Sequence, residues 1–310
     1  MRLQSEPVSS SAGRPELRQL VYFVTVADHL SFTTAARELH LAQQSLSQQI
    51  AALERTVGAR LLDRDTRGTR LTEPGRLFLA EARAVLDAAD RAVTVARRAA
   101  AGEVGRLRLG FLASVANYML PIVVRTCREH LPGVEITTAD VAIEPLVAGL
   151  RDGSFDLAFT RPPLVPDLAV RALAREPVCA VLPAGHRLSG RAEIALADLA
   201  ADPWVLTPRA SWPPWHEQYD RDFAAAGFAP SVVQRAGTVP NLLGLVAAGV
   251  GVTRLAASAR TLRDTGVVFV PIAGAEALTV AAWHRLSPAA ERLVGLLADL
   301  AGTTDFTTAG

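Results

Sequence analysis

The alternation of apolar and polar positions sets out the order of elements before any single residue stands out. From Ser31 to Leu53 the chain reads as two short helices around a tight turn. Ser31 is placed to cap the first, because its side-chain oxygen can accept from a free amide of the first turn. Ala35 and Ala36 keep that helix slim, so a second can cross it closely. The second, about Gln43 to Arg55, repeats Leu46, Ile50 and Leu53, the spacing of one helix face. Two short extended pieces follow around the polar loop Asp65 to Arg70, and together they predict a hairpin.

Beyond Pro74-Gly75, a helical stretch from Arg76 to about Ala101 places Phe78, Ala82, Val85, Ala89, Ala92, Ala96 and Ala99 at alternating steps of four and three. This is the seam of a coiled coil, widened by Leu79, Leu86 and Val93, and it predicts a partner helix; packing on the C-terminal part of the same chain is the alternative. After Gly105 the texture changes to strands alternating with helices: Leu107 to Phe111, Ser114 to His130, Val134 to Thr138, Pro145 to Arg151 and Phe155 to Thr160. A second set opens with the strand Val178 to Leu182 and a short helix near Leu196 to Leu199. It continues with strand Trp204 to Thr207, helix Trp215 to Ala226, strand Val232 to Arg235, helix Val239 to Ala248 and strand Gly251 to Arg254. A strand at Val267 to Val270 precedes a return to the first set through Leu278 to Trp283 and the helix Pro288 to Leu300. Such alternation predicts parallel sheets covered on both faces, here in two lobes with a cleft between them.

Composition changes this picture little. The 310 residues are half apolar with a formal charge of +1, enough for at least two cores and too even for a broad basic field. Positive charge is local: Arg60, Arg64, Arg67, Arg70 and Arg76 outnumber Asp63, Asp65 and Glu73 around the hairpin. Every basic residue other than histidine is arginine. Cys127 and Cys179 lack metal-ligand spacing and read as incidental buried thiols, with a redox pair as the weaker alternative. Met1 to Pro15 has no apolar core, so neither a leader nor an anchor is expected there, and no stretch of about twenty apolar residues occurs later. A cytoplasmic location follows as an expectation, with the ends, residues 1–14 and 302–310, mobile.

Gln44, Gln48 and Arg55 form the outer face of the second helix, flanked by Ser47. These side chains hydrogen-bond base edges or phosphates, so the pair reads as a helix-turn-helix and the arginine-bearing hairpin as a wing on the phosphate backbone. A plain amphipathic surface helix would look similar on its own. The motifs S31-F-T-T-A-A, L46-S-Q-Q-I50, L53-E, G58-A-R-L-L62 and L71-T-E-P-G75, in this order between Leu17 and Ala84, resemble the winged helix-turn-helix of LysR-type transcriptional regulators. One departure is Gln44, where that family often has proline; the helix survives without it and its base contacts can differ. The C-terminal half resembles the same family's effector-binding domain, a two-lobed α/β fold like type 2 periplasmic binding proteins, with G249-V-G251-V as a weak marker and Arg254-Leu255 as a departure from an apolar residue and proline.

The resemblance implies a domain plan: a winged helix-turn-helix over 15–75, a dimerising linker helix over 76–102, and an effector domain over 103–301. Lobe I covers about 106–177 and 276–301, and lobe II about 178–275. It implies contacts to double-stranded DNA from Ser31, Thr33, Gln43, Gln44, Ser47, Gln48 and Arg55 on the helices and from Arg64, Arg67 and Arg70 on the wing. It also implies a homodimer assembling to a homotetramer on an interrupted palindromic operator, contact with RNA polymerase, and no cofactor or metal. Effector contacts fall on Ser114, Val141, Arg161, Thr207 and Thr238. Ser114 opens a helix after a strand, where free amides attract an anion, or it is an ordinary cap. Arg161, stopped by Pro162-Pro163, is placed to grip a carboxylate, with an interlobe salt bridge as the alternative. Thr207 and Thr238 are equally strand-end and capping residues, and Trp212-Pro213-Pro214-Trp215 either stiffens a loop over the cleft mouth or packs on the lobe. A small organic anion is the expected effector.

The six histidines are scattered, and the nucleophile elbow, the phosphate-binding loop and the dinucleotide fingerprint do not occur, so an enzyme is not expected. Two other readings remain: a DNA-binding regulator whose sensory domain answers to a protein partner, and a solute-binding protein, which a leading DNA-binding module argues against.

Overall fold

Small residues decide how the first helices meet. The computed structural model describes residues 13–65 and 68–302. In it α1 (Leu17–His29), α2 (Phe32–Glu38) and α3 (Gln43–Val57) close around Ala35, Phe23, Leu46, Ile50 and Leu53, all fully buried. Ser31 caps α2 as its position predicts, its hydroxyl accepting from the Thr34 amide at 3.3 Å. The turn to α3 is fastened by the Leu41 amide on the Ala36 carbonyl at 2.8 Å.

The hairpin forms from β1 (Leu62–Asp65) and β2 (Gly68–Leu71), antiparallel, with Asp63 opposite Arg70 and Arg64 opposite Thr69. Its base is fixed by Glu54 of α3, whose Oε1 accepts from the Leu61 and Leu62 amides at 2.8 and 3.1 Å. Next, α4 (Glu73–Ala100) passes so close that a Cβ on Gly75 would lie 2.0 Å from the Leu61 carbonyl oxygen, a position only glycine tolerates.

The seam of α4 falls into two stretches. Its first half packs within the chain, on the N-terminal module: Ala82 is buried, Phe78 meets Phe23 edge-to-face at 5.3 Å, and Leu79 and Leu86 join the same core. From Asp90 to Ala100 every residue is exposed. The chain divides into two compact units, Met1–Arg97 and Arg98–Gly310. The mobile ends expected over 1–14 and 302–310 lie outside the described residues except for Gly13, Arg14 and Gly302.

In the second unit β3 (Val104–Leu112) pairs in parallel with β4 (Gly133–Val141) and β5 (Leu157–Thr160). The helices α5 (Ala113–His130) and α6 (Ile143–Asp152) make the crossovers. The expectation of separate strands at Val178 to Leu182, Val267 to Val270 and Leu278 to Trp283 is corrected. β6 (Ala169–Pro183) and β10 (Val267–Trp283) are long continuous strands that run antiparallel from one lobe into the other. They carry a single sheet in the order β4-β3-β5-β10-β6-β9, with β9 at Thr253–Ala256, so the sheet is mixed and not parallel as the alternation suggested.

A smaller parallel pair, β7 (Pro203–Leu206) and β8 (Ser231–Arg235), packs with α7 (Pro213–Ala225) and α8 (Val239–Ala247) to build the second lobe. The short helix expected at Leu196 to Leu199 is a 3-10 turn, a second 3-10 helix covers Ala257–Leu262, and α9 (Pro288–Ala301) returns to the first lobe's core. Arg254, the departure noted above, is buried in β9, reaching Asp222 of α7 at 2.6 Å and lying over the Tyr219 ring at 5.0 Å, so it ties α7 to the sheet. No helix among the described residues is long and apolar enough to cross a membrane.

Candidate functional site

The outward face of α3 is polar because its inward face is spent on Leu46, Ile50 and Leu53. Gln44, Gln48 and Arg55 are exposed along one line of the helix, and Ser45 is exposed beside it in the first turn, about 100° around from Gln44. Gln43 is exposed but engaged, accepting from Thr33 Oγ1 of α2 at 3.2 Å. Ser31 is spent on its cap. Arg64 does not extend from the wing: its guanidinium lies 3.5 Å from the Phe32 ring centroid and donates to Ser47 Oγ at 3.1 Å. Burial there lowers the Arg64 pKa below the ordinary guanidinium value. Arg70 is exposed on β2, and Arg67 lies outside the described residues.

In the second unit the two lobes meet at Arg161, which follows β5. Its Nη2 donates to Glu176 Oε1 at 2.7 Å and to Ser258 Oγ at 3.3 Å. Glu176, buried in the crossing strand β6, also accepts from the Ser258 amide at 2.5 Å and its hydroxyl at 3.0 Å. The salt bridge offered as an alternative for Arg161 is therefore present. It leaves Arg161 Nη1 buried without a partner. Asn117 of α5 adds a second tie to the 3-10 helix, donating to the Ser258 carbonyl at 3.2 Å and to Thr261 Oγ1 at 2.5 Å. Tyr118 is hydrogen-bonded with Thr279 and lies against Arg161 and Glu176; burial raises its pKa.

The tryptophans bridge from the other side. Trp212 donates its indole N–H to the Pro163 carbonyl at 2.9 Å and Trp215 to the Arg161 carbonyl at 3.4 Å, so the start of α7 is pinned to the end of β5. Trp212 is counted in the first lobe's core. Of the two alternatives for this motif, packing is the one these contacts show, and it is on the first lobe.

Ser114 is the second residue of α5, after Leu112 at the cap position, so it is not the cap itself; it stands one turn before Asn117 and Tyr118 and is half-buried. Val141 ends β4, packed against the first lobe's core. Thr207 follows β7 and meets His216 Nε2 at 3.1 Å, and Thr238 caps α8 by accepting from the Asn241 amide at 3.3 Å. The structure gives these last two the structural duties weighed against ligand contact. Glu176, Asn117 and Ser258 are not singled out by the sequence, because their partners lie up to 144 residues away. Cys127 and Cys179 are free and buried, and burial pushes the Cys127 thiol up to about 11. No group of three or more potential metal ligands occurs among the described residues.

Comparison with known proteins agrees with both halves. Residues 17–76 match the family model of the bacterial regulatory helix-turn-helix protein, lysR family, and residues 100–302 match the LysR substrate binding domain. The chain is 35% identical to the HTH-type transcriptional regulator AlsR of Bacillus subtilis, over 82% of this chain and 84% of that protein. It is 36% identical to the HTH-type transcriptional regulator IlvR of Caulobacter vibrioides, over 91% of this chain and 96% of that one. Among solved structures, full-length CbnR complexed with its target DNA superposes with a TM-score of 0.72 at 27% identity, covering 92% of this chain and 99% of that one. The oxidized form of Corynebacterium glutamicum OxyR superposes with a TM-score of 0.67 at 27% identity, covering 94% and 96%.

Proposed function

The chain belongs to the LysR family of DNA-binding transcriptional regulators, and from that premise we propose that it is a cytoplasmic regulator gated by a small organic anion bound between its lobes. The observation that carries the anion is Arg161, whose buried guanidinium is only half satisfied by Glu176 and keeps Nη1 for another acceptor. A carboxylate is the fitting acceptor, since charge-assisted bonds to guanidinium are the strong ones. Ser114, at the free amides of the α5 first turn, supports the same reading, with Val141, Thr207 and Thr238 as further contacts.

On DNA, α3 enters the major groove of an interrupted palindromic operator, with Gln44, Ser47 and Gln48 on base edges, and Ser31, Thr33, Gln43, Arg55, Arg64, Arg67 and Arg70 on the backbone or holding the helix. The exposed second half of α4, with Val93 and Val95 on its surface, is the dimerising segment, and pairs of dimers form tetramers that contact RNA polymerase. Ligand shifts the two lobes, and with them the spacing of the DNA-binding heads and the DNA bend; this needs different ligand affinity in the two assemblies. Calorimetric titration of the full chain with small mono- and dicarboxylates tests the effector reading. Binding that Arg161→Gln weakens at least about tenfold is expected; carboxylate affinity unchanged in that variant would sink it. Gating by a protein partner is the outcome if no carboxylate binds.

A further inference from the structure

Two side-chain atoms at the meeting of the lobes are buried without a hydrogen-bond partner among the described residues: Asn117 Oδ1 and Arg161 Nη1. They belong to one place, since both residues bond Ser258, Asn117 at its carbonyl and Arg161 at its hydroxyl. A third such atom, Thr160 Oγ1, lies across from Val280 and so on the face of the sheet opposite Thr279 and Tyr118. A buried polar group left unpaired is costly, so the two together mark a place that something else completes.

The chemistry of each atom is defined by the bonds its neighbour already makes. The Ser258 carbonyl can only accept, so the Asn117 atom facing it is the nitrogen and the unpaired atom is the oxygen, an acceptor in need of a donor. Arg161 Nη2 is taken by Glu176, so the unpaired Nη1 is a charged donor in need of an acceptor.

We infer that the ligand is a hydroxycarboxylate. Its carboxylate accepts from Arg161 Nη1 and its hydroxyl donates to Asn117 Oδ1. This rests on the organic-anion reading above and narrows it. A plain carboxylate has no proton for Asn117 Oδ1 and leaves that atom buried and unpaired, which is how a site built for a hydroxyl rejects the analogue without one. An aminocarboxylate would supply a donor, but its ammonium would lose its hydration against the neutral Asn117 oxygen, since the nearby Glu176 carboxylate is already taken by Arg161 and Ser258. Entry requires the Asn117 bonds to Ser258 and Thr261 to part, so binding and lobe movement are one event.

The test is calorimetric titration of the full-length protein with butyrate, 2-hydroxybutyrate, 3-hydroxybutyrate and 3-aminobutyrate. At least one hydroxybutyrate should bind about tenfold or more tighter than butyrate. Asn117→Leu should bring that ratio close to one, and Asn117→Asp, which keeps an acceptor at the same place, should retain a preference; a melting curve of each variant reports that it is folded. Equal affinity for butyrate and both hydroxybutyrates overturns the hydroxyl assignment and leaves the anion reading standing. A preference for 3-aminobutyrate, or a hydroxyl preference untouched by Asn117→Leu, also overturns it. No binding by any of the four overturns this inference and counts against the anion reading as well.

Discussion

Arg64 lies with its guanidinium 3.5 Å from the centre of the Phe32 ring, and from there it donates to Ser47 on the face of α3. An arginine that the sequence assigns to the wing is thus used to fasten the wing's first strand to the helix pair. Its planar group is what the site requires, since a lysine carries the charge but cannot lie flat on the ring and bond sideways at once. Arg64→Lys is expected to keep the salt dependence of operator binding while lowering affinity by about 0.5–1 kcal/mol, the worth of an exposed cation–π contact. Arg64→Ala should lower affinity and, by removing the charge, reduce the salt slope by about 1 as well. Fluorescence anisotropy on operator DNA at several salt concentrations separates the two; a lysine variant indistinguishable from the parent would show that the stacking is incidental.

Gln48 stands exposed on the outer line of α3, open to a base edge. Gln48→Ala is therefore expected to narrow the gap between operator and random DNA by about 1–3 kcal/mol while leaving nonspecific binding in place. Competition binding at one fixed salt concentration measures that gap. Operator preference intact in the variant would move base reading toward Gln44 and Ser45.

Gly75 shows how tightly α4 is set against the hairpin. A methyl group there meets the Leu61 backbone, 2.0 Å from its carbonyl oxygen, and backbone at that point is held by Glu54 and cannot swing aside as a side chain would. Gly75→Ala should destabilise the N-terminal unit by roughly 3 kcal/mol, toward the top of what overpacking costs. Urea unfolding of the full chain, followed by a probe in that unit, checks this; a midpoint within error of the parent would mean that α4 shifts freely.

Local chemistry explains which parts of the fold were readable. The Ser31 cap, the slim Ala35-Ala36 pair and the Leu46-Ile50-Leu53 face act within a few residues, and each does in the structure what its spacing suggests. The two crossing strands are hard to read from the sequence because Pro177, Pro271 and Gly274 look like stops. In the structure the ladder slips between Pro271 and Glu276, a bulge that absorbs residues unable to donate. The site fared likewise. Arg161 is visible because prolines follow it, whereas Glu176 and Ser258 become its partners only when β6 and the 3-10 helix come together, and no spacing in the chain announces a contact of that range.

His216 gives the second lobe a dependence on pH. It is 3% exposed, its Nε2 lies 3.0 Å from the Pro208 carbonyl and 3.1 Å from Thr207 Oγ1, and because a carbonyl only accepts, that nitrogen carries the proton of a neutral ring. Burial is the main cause that lowers its pKa below the ordinary 6.5, with Arg235 and Arg209 pushing the same way against the Pro208 bond and Asp220. The sign follows from proton counting. Above 6.5 the ring is neutral whether the chain is folded or not, and the group leaves stability independent of pH. Below it the unfolded chain takes up a proton that the folded lobe refuses, so stability falls with pH until the folded value is reached, by at most about 1.4 kcal/mol per pH unit. His216→Gln removes that uptake and should flatten the fall between pH 6.5 and 5 relative to the parent. Thermal melts across this window measure the difference, and parallel curves for the two proteins would show that another group sets the acid sensitivity.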